Sequence, residues 1–290
     1  MLGNFVFDID GTMAAGIGDY ELDEKGKLLK DLLGEAFLER HTIMAMDYPH
    51  YVFPGLYALF RWLHAKGGRL FFFSSGWEKR NLEFAAEFMR RAFGQQANEV
   101  PYQVFSREHC IATHAMKEEE GKAYQSFFYG QRKKKLAGIV VPPQELPHTL
   151  LIDDDRSYMV KGEEYNLVCL QNPIQYLSSY EDKNKWPTEG EEPVLLDYSL
   201  REFIGFHQPY YLAGLLDSIF EVQAQEGITL AQAAKQVQID REGEELSRKF
   251  NYPSSYRFSY FRRGLAILRA LDPTLQFYFP AILREQYKDG

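Results

Sequence analysis

Apolar and polar positions fall in blocks along this chain, and the period of the blocks changes from strand-like to helical and back. Residues 5–9, FVFDI, are too densely apolar for a half-exposed strand and predict a buried, central one. Gly16, Gly18 and Gly26 punctuate the next stretch. YELDEKGKLL reads as a hairpin turning at Lys25-Gly26, ahead of a helix over about Leu28 to Arg40. Pro54-Gly55 opens a second helix, Gly67-Gly68 ends it, and Leu70–Phe73 is another buried strand. Apolar residues at helical spacing continue from Glu78 to Phe93. YQVFS, after Pro101, predicts a short strand, and a polar helical stretch covers residues 115–135. HTLLIDDDRSY and NLVCL give two more buried strands. Residues 171–197 are mixed and polar, with Pro173 and Pro187, and from Tyr198 onward the pattern is helical, clearest in ITLAQAAKQVQ and GLAILRAL.

Strands alternating with helices predict an α/β fold, a Rossmann-like parallel sheet with helices on both faces, followed by a C-terminal helical region. The chain divides into a core over residues 1–175, a connector at 176–197 and the helical region at 198–290. Two inserts interrupt the core, a flap at 12–50 and a second insert at 100–130. A short flap means a small or absent cap over whatever site the core carries.

Ligands of parallel sheets bind beyond the carboxyl ends of the strands. Three strands here end in polar groups whose chemistry is complementary. The first ends at Asp8 and Asp10, the second at Ser74, Ser75 and Gly76, and the fourth at Asp153, Asp154 and Asp155. Converging carboxylates repel one another and are costly to bury unless neutralised. A hard cation such as Mg²⁺, completing its shell with water and substrate phosphate, would neutralise them. The basic run RKKK at 132–135 offers an ammonium for a phosphate. Simpler readings stand beside these. Asp8 and Asp10 could form a strand-ending turn, Ser74 and Ser75 could cap the next helix, and two of the three lysines fit a solvated helix face. Trp77 and Tyr158 fit the core better than a specificity pocket.

A net charge of −8 and a pI near 5.5 argue against a partner held by its nucleic-acid backbone. Two cysteines, Cys110 and Cys169, are too few for a disulfide scaffold and suit a reducing compartment. No stretch reaches the roughly 18 apolar residues of a membrane span, and Asp8 and Asp10 interrupt the opening apolar run, so a cytoplasmic protein is expected. His109, Cys110 and His114 lack the second cluster that a structural zinc site wants. A cysteine phosphatase needs Arg six positions after its Cys, where this chain has Met116 and Gln175. No G-x-S-x-G elbow surrounds any serine.

The strand-end residues resemble the four motifs of the haloacid dehalogenase superfamily, in order: DIDGT, FFFSS, a lysine of the 133–135 run, and LLIDDD. The spacing is most similar to the small C-terminal-domain-phosphatase-like group. YVFPGLYALFRWL resembles that group's lead-in helix, and SREHC resembles its Arg-Glu-x-Cys stretch. Gly11 stands where that group has Glu, and about twenty extra residues separate Cys110 from the lysines. The resemblance implies a Mg²⁺-dependent phosphatase. Asp8 would be its nucleophile and Asp10 its acid/base, with Thr12 and Asp153 in support. Ser74, Ser75 and Lys134 would bind phosphate, with Lys133 and Lys135 as rivals for the catalytic lysine. Asp8, Asp154 and the backbone carbonyl of Asp10 would hold the metal. The open site implies a phosphorylated protein as substrate. A small phosphate ester with the helical tail as lid, or an idle fold that binds a partner or dimerises through the tail, are the alternatives.

Overall fold

A computed structural model describes residues 2–16, 34–112, 132–170, 206–243 and 258–278. Five strands, β1 (Gly3–Phe7), β5 (Gly68–Phe73), β6 (Tyr102–Phe105), β9 (Thr149–Asp153) and β10 (Leu167–Cys169), form one sheet in the order β10-β9-β1-β5-β6. Every pairing in it is parallel. These are the five strands expected from the sequence. Alternate residues of the central strands supply both faces: Phe5, Phe7, Leu70, Phe72, Leu150 and Ile152 pack on one side, Val6, Phe71, Phe73 and Leu151 on the other.

Helices α2 (Leu56–Ala65) and α3 (Glu78–Phe93) cover the first face, joined there by the C-terminal helices α4 (Gln208–Glu226), α5 (Leu230–Gly243) and α6 (Phe258–Arg269). The second face is closed by Leu136, Val140, Val141 and Met159, which lie on turns and extended pieces. Among the described residues, then, the long helices occupy one face rather than both. Residues 132–135 also depart from the helical expectation. Arg132–Lys133 form β8, antiparallel to β7 (Ile111–Ala112), and Lys134 bridges to Met159. The rest of the expected 115–135 helix lies outside the described residues.

The flap is a three-stranded antiparallel sheet, β2 (Ala14–Gly16), β4 (Tyr48–Val52) and β3 (Thr42–Ala45) in that order, with α1 (Glu35–His41) between β2 and β3 along the chain. The expected hairpin at Lys25-Gly26 lies outside the described residues. The β3–β4 hairpin was not expected: its two turn residues, Met46 and Asp47, take φ of 49° and 63° without a glycine. The Met46 N–H donates to Glu83 Oε2 at 2.6 Å, tying this turn to α3.

The tail helices are part of the core. Gly214 on α4 and Gly264 on α6 let the helices cross so closely that a Cβ on either would overlap the other helix's backbone. Phe220 packs edge-on to Phe5 and against Trp62. An aromatic cluster of Phe37, His41, Tyr51, Phe206 and Tyr278 joins flap to tail, and an Arg40–Asp272 ion pair reinforces it. Among the described residues no helix is long and apolar enough to cross a membrane.

Candidate active site at the carboxyl edge of the sheet

The parallel register brings the ends of β1, β5 and β9 side by side, so the polar residues that succeed them meet above the sheet. Asp8 and Asp153 are buried there, and Lys134 reaches in from the extended run after β8 with no exposed surface. Its ammonium donates to Asp8 Oδ1 and to Asp153 Oδ2, both at 2.6 Å. Two of its three protons are thereby used. The Tyr158 ring lies under the same nitrogen, 4.6 Å from centroid to Nζ. Lys133 turns away to the Ser157 carbonyl and Lys135 is exposed, so Lys134 alone of the three lysines enters the cluster.

One carboxylate oxygen each of Asp8, Asp153 and Asp154 lie within 4.8 Å of one another. Three carboxylates thus face one ammonium. Burial pushes the Asp8 and Asp153 carboxyls up; Lys134 opposes the rise at both, and neighbouring carboxylates add to it. Asp154 is pushed up to about 7 by burial and by the charge of Asp153. Lys134 is held protonated: burial works against its charge, but Asp153 and Asp8 outweigh it. The donor set, three hard oxygens with excess negative charge, fits a divalent cation of the Mg²⁺ type. Asp153 is the least available of the three. Lys134 takes its Oδ2 and the Asp155 N–H donates to its Oδ1 at 2.9 Å, which leaves Asp8 and Asp154 as the natural ligands. The Thr12 hydroxyl steadies Asp154 by a long hydrogen bond of 3.4 Å.

Asp10 stands apart from this cluster. Arg80, six residues beyond Ser74 on α3, grips it with both arms of the guanidinium, Nη1 to Oδ1 at 2.5 Å and Nη2 to Oδ2 at 2.6 Å. Burial raises the Asp10 carboxyl, but the Arg80 hydrogen bonds and charge, with help from His50 and Ser74, bring it below its ordinary value. The Ser74 hydroxyl donates to Asp10 Oδ2 and accepts from the Gly76 N–H and from Arg80, each at 3.1 Å. Its single proton is therefore spent on Asp10. Ser75, half-buried, pairs its hydroxyl with the Tyr158 hydroxyl at 3.2 Å.

Several expectations change here. Neither serine caps α3, whose N-cap is Trp77 without a side-chain bond. Trp77 is 60% exposed instead of belonging to the core. Tyr158 is buried, yet it touches the site through Ser75 and Lys134. The His109 ring accepts the Ser106 N–H at 3.0 Å in a short capping turn, a structural use for one residue of the discarded zinc trio; His114 lies outside the described residues. Arg80 and His50 carried no signal in the sequence, since a single Arg on an amphipathic helix and a single His in a strand look like any others.

No protein-family model matches the sequence, and no curated protein is significantly similar to it. A comparison with solved structures finds similarity to Fcp1, an essential RNA polymerase II CTD phosphatase, at 12% identity. The match covers 92% of this chain and 79% of that one, with a TM-score of 0.36. At so low a superposition the function has to be read from the site itself. The five-stranded parallel sheet makes the fold α/β, with Lys134 joining Asp8 to Asp153 beside Asp154 at its carboxyl edge.

Proposed function

We propose that the protein is a Mg²⁺-dependent phosphatase that hydrolyses phosphate monoesters through an aspartyl-phosphate on Asp8. The observation that carries this reading is the buried junction of Asp8, Lys134 and Asp153 beside Asp154, an arrangement too costly to keep as plain structure. Bound by Asp8 and Asp154, Mg²⁺ would shield the nucleophile from the charge of the phosphate.

The chain's own residues supply the rest. Asp8 attacks phosphorus as the ester P–O bond breaks, and the leaving oxygen takes a proton from Asp10. Water then attacks the phosphorus of the acyl-phosphate, Asp10 takes a proton back, and the Asp8 carboxylate leaves with its electron pair. Arg80 favours the ionised form of Asp10, which is the form the second step needs; the proton that Asp10 gives in the first step is one it takes up from the monoanion of the phosphate ester as substrate binds. The remaining proton of Lys134 is available to an equatorial phosphate oxygen, where charge develops in the transition state.

The substrate reading is a phosphoprotein. Its support is the gradient of exposure across the site: Lys134 and Asp153 are fully buried, the Asp10 side chain is 43% exposed, and Trp77 stands outside. The leaving-group side therefore opens outward. The described tail helices pack into the core, which favours an architectural role for them over that of a lid. Turnover of phosphotyrosine and phosphoserine peptides, set against small phosphate esters, tests this. Turnover of the small esters alone would refute it.

A further inference from the structure

We infer that Arg80 is the positioning residue for the acid/base carboxylate, and that Gly76 and the flap residue His50 are what allow it to act. The inference rests on the reading of Asp10 given above and adds to it Arg80 and His50, outside the strand ends, and a steric role for Gly76. A guanidinium that meets a carboxylate through two parallel bonds fixes its plane as well as its distance. Here the two bonds, 2.5 and 2.6 Å, come from a side chain only 13% exposed, while Asp10 keeps its open side toward solvent.

Arg80 is itself held from three directions. Its Nη2 reaches Ser74 Oγ at 3.1 Å, on the strand that carries the phosphate-side serines. Its Nη1 lies 3.3 Å from His50 Nε2, and the other ring nitrogen of His50 is bonded to the Tyr48 carbonyl at 3.0 Å. A carbonyl only accepts, so Nδ1 carries the proton and Nε2 is free to accept from Arg80. On the third side is Gly76. A Cβ there would overlap the Arg80 guanidinium and sit 3.0 Å from Asn81 Oδ1. Glycine at 76 is thus a condition of the fork's position. The flap enters the site through the same contact, because His50 belongs to β4.

The test separates the two chemical steps. With 4-nitrophenyl phosphate the leaving group departs without a proton, so attack by Asp8 is insensitive to Asp10, whereas breakdown of the aspartyl-phosphate still needs a positioned base. In Arg80→Met we expect a fast burst of 4-nitrophenolate, equal to the enzyme present, followed by turnover slowed about 100-fold, with KM falling in step because kcat/KM is set by attack and is unchanged. Arg80→Lys, which keeps the charge and loses the fork, recovers part of that turnover. Gly76→Ala has the same phenotype as Arg80→Met, and the double variant is no worse than either. Thermal melts check that each variant folds, and the Arg80 variants carry the test should Gly76→Ala fail to do so. The inference is overturned if the burst and turnover of Arg80→Met match the wild type, or if a folded Arg80→Met loses burst and turnover together, since Arg80 would then serve substrate binding or attack. A folded, Mg²⁺-loaded wild type that neither bursts nor turns over would instead overturn the phosphatase reading, and the inference with it.

Discussion

Lys134 Nζ stands 2.6 Å from Asp8 Oδ1 and, at the same distance, from Asp153 Oδ2, with none of the three side chains appreciably exposed. One ammonium thereby sets the spacing of the two strand ends, β1 and β9, that frame the site. Removing it leaves buried carboxylates without their cation, a change that costs about 3–5 kcal/mol in comparable buried pairs. Lys134→Met is therefore expected to lose activity and to unfold at clearly lower denaturant. Lys133→Met and Lys135→Met should alter neither by much, because their side chains point elsewhere. Urea unfolding curves of the three variants check this; equal behaviour of all three would contradict the geometry.

Metal binding should be visible in stability as well as in rate. A ligand that binds only the folded state at about 100 times its Kd adds about 2.7 kcal/mol. The melting temperature is expected to rise with Mg²⁺, and EDTA to reverse the rise. Asp154→Asn, which removes an available ligand, should abolish the Mg²⁺ response while Asp155→Asn retains it. A Mg²⁺ shift that survives Asp154→Asn would place the ion elsewhere.

His41 links acid sensitivity to the seam between flap and tail. Its ring is 3% exposed, stacked on Phe37 and bonded through Nδ1 to the Val52 carbonyl at 3.2 Å. Burial, with the Arg40 charge adding to it, pulls its pKa from 6.5 down to about 3. The unfolded chain therefore takes up a proton below pH 6.5 that the folded chain refuses until about pH 3. The stability contribution is complete above 6.5 and is lost as pH falls through that window, by at most about 1.4 kcal/mol per unit. His50, also lowered by burial and by Arg80, adds in the same direction. Unfolding free energies between about pH 4 and 7 should show a slope that His41→Phe makes shallower; an unchanged slope would mean that the ring titrates normally.

The sheet was legible because buried parallel strands leave dense apolar runs, and the site because those runs end in Asp8, Ser74 and Asp153-Asp154. The β3–β4 hairpin was hidden by a turn, Met46-Asp47, that reaches positive φ without glycine. The lysine run reads as helical because its polarity carries no period, whereas Leu136, just beyond it, is anchored by a buried Glu163 carboxylate that accepts its N–H at 2.8 Å. The tail gave helices but no docking face, since α4 is buried almost all round from Gln208 to Leu216. Arg80 was invisible for a deeper reason: its role depends on a neighbour, Asp10, seventy residues away, and on the room left by Gly76.

The covalent intermediate is the central claim, and it can be seen directly. The enzyme with Mg²⁺ and an aryl phosphate is quenched in acid during turnover, digested and weighed peptide by peptide. The mass of one phosphoryl group is expected on the N-terminal peptide containing Asp8, absent in Asp8→Asn and in the presence of EDTA. Turnover without that adduct, or an adduct that persists in Asp8→Asn, would contradict the account.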